Sequence, residues 1–330
     1  MGATRAVTSK PSFSAFTEPV TGNDAEVLAG DLTLFSTAAT KSAIGLGLVF
    51  VLGAIAFRNV YLLIGVLVVG LFWVTGGAVT RKRRSREQIG ARLRKFSQDN
   101  RYSFKPLIKD LSLSYPGTLF TTEQNGAYTN FVVKGDIQGH AFWMGLYWFE
   151  NKVGKQTIMY RQPVMALTLP RAVPHVILDR FNKQSTYRPG MELFELEGDF
   201  NKYFSVFCAP GYQQDILYFL TPELMQLLLD TDQQFDLEII GDQLYVYGNR
   251  QMEGTTFDSA VWPAMFQAVS LVGLELIENT QRYQDHRVSA VAGTLGPQGI
   301  VAPRHLPKAI TYIAYVIIAI LVFVAVITSS

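Results

Sequence analysis

The chain has 330 residues, a formal net charge of +2, 48% hydrophobic residues and a mean hydropathy of +0.16. That hydropathy is high for a soluble domain and points to membrane segments. The single cysteine, Cys208, excludes an internal disulfide, and no Cys/His cluster has zinc spacing.

Residues 1–40 are polar, rich in Ser and Thr, and lack the early apolar core of a secretory signal. They are expected to form a disordered tail in which PSF and TEPV are short candidate binding peptides. Residues 41–80 follow as a membrane hairpin. The first span, 42–57 (SAIGLGLVFVLGAIAF), is uncharged and reaches bilayer thickness if the residues just before it are included. The second, 60–80, has 21 uncharged residues, and only Arg58 and Asn59 separate the two. Small residues on both segments allow close packing.

The stretch TRKRRSREQIGARLRKF, residues 80–96, holds eight Lys and Arg and one Glu, a charge of +7. The remainder of the chain is therefore −5, and a nucleic-acid binder would show a basic folded domain as well. No nucleic-acid partner is expected. The positive-inside rule instead puts Arg81, Lys82, Arg83, Arg84 and Arg86 at the cytoplasmic headgroups. Residues 81–100 are predicted as a basic amphipathic helix with Ile89, Leu93 and Phe96 on one face. It either lies along the membrane or packs on the domain.

Residues 101–287 are predicted to form a cytoplasmic α+β domain of mostly antiparallel strands closed by a long helix. The order is similar to a pleckstrin-homology-like roll at the level of elements. Segments YTNFVV (128–133) and AFWMGLYWF (141–149) flank a turn. Short strands are predicted at 157–160, 164–169, 192–197, 203–208 and 215–219. FDLEII and QLYVY (235–240 and 243–247) look like a hairpin around Gly241 and Asp242. Thr221 reads as the N-cap of a helix opening on Pro222, and a longer helix covers about 257–284. Residues 288–308 read as a flexible tether. Residues 309–328 form a third uncharged span, with Arg304 and Lys308 before it. The predicted topology puts the N-terminus inside and the C-terminus outside. None of the spans carries an ionisable residue, so they read as anchors and not as a transport path.

No Walker loop, dinucleotide fingerprint, nucleophile elbow or kinase set occurs, and no cofactor or metal is expected. Three function classes follow. In the 141–149 strand, Phe142, Met144, Leu146 and Trp148 face one way, and Trp143, Tyr147 and Phe149 the other. Apolar residues on both faces call for cover on both sides, either from the long helix and the rest of the domain or from a docked partner or lipid; in the second case Trp143, Tyr147 and Phe149 are the candidate partner surface of a non-catalytic binding or scaffold module. A membrane-face hydrolase would need Glu197, Asp199 or His175 to converge in a cleft. A lipid-binding domain would need an apolar cavity open toward the bilayer. The lipid bilayer is one expected partner, a protein the other, and a homo-oligomer is left open.

The run LEGDFNKYFSVFCAPGYQQDILYFLTPELMQLLLD, continued by FDLEIIGDQLYVYG and preceded by VMALTLPRAVPHVILDRF, resembles a family of uncharacterised bacterial membrane proteins. They occur in actinobacteria and candidate-phylum bacteria. The resemblance covers residues 164–248 and implies a bacterial cytoplasmic-membrane location. It brings no site residues with it.

Overall fold

A computed structural model describes residues 11–18, 86–109, 116–121, 127–153, 156–180, 190–196, 198–230, 235–253, 255–288, 295–296 and 299–301. The three apolar segments (42–57, 60–80 and 309–328), residues 81–84 and Glu197 lie outside them. The described chain is an α+β domain with a mostly antiparallel sheet. In order it contains α1 (Ser14–Thr17), α2 (86–99), β1 (Ser103–Lys109), α3 (Thr118–Thr121), β2 (Tyr128–Ile137), β3 (His140–Val153) and β4 (Gln156–Asp179). Next come β5 (Glu192–Phe194), a 3₁₀ turn (Phe200–Lys202), β6 (Ser205–Cys208), α4 (Gln213–Phe219), α5 (Pro222–Asp230), β7 (Asp236–Tyr247), β8 (Gln251–Met252) and α6 (Val261–Thr280).

The 24-residue strand β4 is the spine of the sheet. Its first half pairs with β3, from Val153↔Gln156 to Phe142↔Leu167, and its second half pairs with β6, from Val176↔Cys208 to Asp179↔Ser205. Along the other edge runs β7, which pairs with both halves. The register slips between Thr168 and Val173 and again before Val176, so extra β4 residues bulge out there. Gly241 sits opposite Val173 with φ +61, a conformation that favours glycine. The expected hairpin at Gly241-Asp242 is therefore one continuous strand with a local kink. The β2–β3 turn falls at Gln138 and Gly139, both at positive φ, so Gly135 and Asp136 stay in β2. Residues 215–219 also differ from expectation, being helical in α4. Ile216 and Phe219, three apart, point inward while Leu217 and Tyr218 are exposed. That is a helical period which the β-forming composition of DILYF conceals.

Both faces of the sheet are buried. Phe142, Met144, Leu146 and Trp148 enter the main core, and Trp143, Tyr147 and Phe149 enter a second cluster on the opposite face. A bulge in β2 at Phe131, φ +58, turns that ring into the main core beside Val133. Helices α2, α4, α5 and α6 cover the main-core face, and Ile89, Leu93 and Phe96 all bury there. This settles α2 onto the domain. Helix α5 begins as expected, with Thr221 Oγ1 accepting from the Leu224 amide at 3.3 Å.

Helix α6 lies against β4, where Gly273 allows close approach: a Cβ there would stand 2.5 Å from Leu167 Cδ2. Among the described residues it is the one helix long and apolar enough to cross a membrane, but its buried face, including Trp262, Met265, Val269 and Leu276, belongs to the core. Two segments expected to be loose are seated on the domain. Residues 11–18 of the tail place Ala15 and Phe16 in the main core, and Leu295 of the tether packs on it too.

Candidate functional site

The second face of the sheet gathers three of the residues singled out by sequence. Trp143, Tyr147 and Phe149 on β3 meet Val164 and Ala166 on β4 and Tyr245 and Tyr247 on β7. The short helix α3 closes over them. Phe120 inserts its ring among Trp143 (5.8 Å), Tyr147 (5.1 Å) and Tyr245 (5.7 Å). The three β3 aromatics are at most 5% exposed, so they do not form the open surface expected of them. The reason is local: the chain's own Phe120 fills the place a partner would take. Large apolar side chains that do face solvent include Leu193, Leu217 and Tyr218. Burial pushes the Tyr147 phenol up to about 12.

Beside this aromatic nest lies a buried polar cluster centred on Glu238. Strand alternation puts Glu238 on the same face as Ile240, and the kink at Gly241 reverses the phase so that Tyr245 and Tyr247 join them. Its Oε1 lies 2.8 Å from His175 Nε2 and accepts from the Thr118 amide at 3.0 Å. Its Oε2 accepts from the Tyr247 hydroxyl at 2.6 Å and the Thr118 hydroxyl at 3.0 Å. The side chains of His175 and Glu238 are each 1% exposed. Burial, then the Glu238 charge, holds the Tyr247 phenol protonated far above its usual range. A buried carboxylate is costly unless donors surround it, and here the donors come from β4, β7 and α3. The cluster thereby pins α3 to the sheet. Gly117 is needed at this point, because a Cβ there would meet the Tyr247 hydroxyl at 2.7 Å. Among the described residues, His175 Nδ1 has no hydrogen-bond partner.

The other acid candidate stands elsewhere. Asp199 pairs with Lys202 at 2.6 Å, its side chain 70% exposed, and among the described residues no partner is common to Asp199 and His175. Glu197 lies outside the described residues. Arg86, expected at the headgroups, is turned onto the domain, its guanidinium 4.2 Å above the Trp148 ring and 3.0 Å from Glu253.

A second polar cluster, not foreseen, anchors the start of the tether. Asp285 accepts from the Gly296 amide (2.9 Å), the Tyr212 hydroxyl (2.7 Å), the Arg287 amide (3.0 Å) and the Arg287 guanidinium (3.1 Å). Burial alone raises the Asp285 carboxyl, but these hydrogen bonds outweigh it and hold it at about 2. Gly299 adds its carbonyl to the His175 amide at 2.8 Å. A depressed carboxyl contributes stability that is present above its ordinary value near 4 and is lost as pH falls toward 2. Asp285→Asn is therefore expected to cost about 1–3 kcal/mol at pH 7. In urea titrations its deficit against wild type should shrink between about pH 4 and pH 2.

An apolar void lined by Phe204, Leu228, Phe235, Leu237, Ala268 and Val272 sits in the main core and has room for about one water. No group of three or more His, Cys, Asp or Glu among the described residues is placed to hold a metal ion.

No protein-family model matches the chain, and no curated protein matches it. The crystal structure of the mycobacterial trehalose monomycolate transport factor A is similar at 13% identity and a TM-score of 0.43, over 58% of this chain and 94% of that one. So slight a likeness assigns the chain neither a fold family nor an activity.

Proposed function

We propose that the chain is a membrane-anchored cytoplasmic α+β module that binds a partner and does no chemistry of its own. The docking of residues 11–18 against α2 carries this reading. Both apolar segments of the hairpin lie between residue 18 and residue 86, and the two ends of that stretch meet in one core. The chain must cross the bilayer an even number of times between them, which fits a two-span hairpin. The +7 run beside the second span supports a cytoplasmic side for both ends. Residues 295–296 and 299–301 are seated on the same domain, so the third span leaves from the cytoplasmic side and the C-terminus lies outside.

The polar geometry favours binding over catalysis. The His175–Glu238 pair is sealed under α3 and engaged in holding the fold. The main-core void takes about one water, far too little for a lipid. Strands followed by a closing helix support a pleckstrin-homology-like roll for the domain, with α4 and α5 inserted before β7. Alkaline carbonate washing of membranes tests the anchoring. The protein is expected to stay in the pellet, and its release into the supernatant would contradict the reading.

A further inference from the structure

We propose that the groove between α2 and α6 is a receptor for a short Phe-x-x-Phe helix followed by an acidic residue. Residues 11–18 occupy it as an intramolecular ligand that a partner segment of the same chemistry displaces. The tail is gripped at both ends and in the middle, as a peptide is in a binding site. At its start, Asn100 clamps the backbone of Ser12, accepting from its amide at 2.7 Å and donating to its carbonyl at 2.9 Å. In the middle, the Phe13 ring stacks on Phe96 at 5.7 Å and meets Phe266 edge-on at 5.5 Å, while Phe16 lies 5.1 Å from Phe96.

At its end, the Arg92 guanidinium donates to the carbonyls of Ala15, Phe16 and Glu18 at 3.1, 2.8 and 3.0 Å. These carbonyls carry the negative end of α1, which a cation satisfies. Lys95 pairs with the Glu18 carboxylate. Lys95 thus selects an acidic residue two positions after the second phenylalanine, while Arg92 holds the backbone whatever the side chain. An eight-residue contact with two ring anchors is weak in trans, and tethering makes it effective in cis. A ligand of this kind can be exchanged.

The test uses the full chain in lipid nanodiscs and a fluorescent peptide of residues 11–18. Phe13→Ala with Phe16→Ala empties the groove without altering its walls. The peptide should bind this variant at least about tenfold more tightly than wild type, because the intramolecular competitor is gone. Adding Arg92→Met should weaken that binding about tenfold or more, since three charge-assisted hydrogen bonds are lost. Circular dichroism confirms that each variant is folded. If the double variant is not, Phe13→Ala alone gives the same sign with a smaller rise. The proposal is overturned if the peptide binds neither chain, if it binds both equally, or if Arg92→Met leaves binding unchanged.

Discussion

Glu238→Ala is expected to lower stability by about 3–5 kcal/mol, because several buried polar groups lose their common acceptor at once. The substitution strands the Thr118 amide and hydroxyl, the Tyr247 hydroxyl and His175 Nε2 in a face sealed from water. It also releases α3, so Phe120 loses the anchor that holds it in the aromatic nest. Equilibrium urea unfolding gives the number. Glu238→Gln keeps the shape and one acceptor oxygen, so it should cost less than alanine. A loss below about 1 kcal/mol for the alanine variant would mean that water replaces the missing acceptor and that the face is open.

Phe96→Ala should cost a similar amount, about 3–5 kcal/mol, as a large-to-small change in a packed core. The Phe96 ring is fully buried and touches Phe13, Phe16, Tyr102 and Phe266. It is where the tail, α2, β1 and α6 meet, so neighbouring side chains cannot collapse into the space without moving two helices. Thermal unfolding measures the loss. Phe13→Ala, a half-buried ring at the edge of the same cluster, should cost clearly less. Equal costs would show that the tail carries as much of the core as α2 does.

The two-sided burial of β3 was legible because AFWMGLYWF alternates with no polar side, which requires cover on both faces. The stripe Ile89, Leu93, Phe96 and the Thr221-Pro222 start of α5 were legible for equally local reasons. The spine strand was not. Pro163, Pro170 and Pro174 break its hydrogen-bonding pattern, so β4 reads as several short strands, although each proline is accommodated at a pairing site or bulge. Gly241 reads as a turn for a similar reason, since positive φ serves a kink as well as a hairpin.

The Glu238 cluster was hidden by distance along the chain. Glu238 stands 63 residues from His175 and 120 from Thr118, and no local pattern marks either as its partner. In FDLEII, Glu238 shares its strand face with Asp236 and Ile240, and Ile240 is buried there. A polar residue in that position was the available signal for a buried partner. The tail was read as disordered from its polar composition. Its two phenylalanines, three apart, are what the groove takes.

The central proposal is that the domain and the tail share the cytoplasmic side of a three-span anchor. Cysteine accessibility tests it most directly, because native Cys208 is buried and its thiol is held up at about 11. Single cysteines are placed at Leu193 on the domain surface, at Arg58 between the first two spans and at Ser330. A membrane-impermeant maleimide added to intact cells should label Arg58→Cys and Ser330→Cys, and should label Leu193→Cys only after lysis. Labelling of Leu193→Cys on intact cells, or protection of Arg58→Cys there, would contradict the topology.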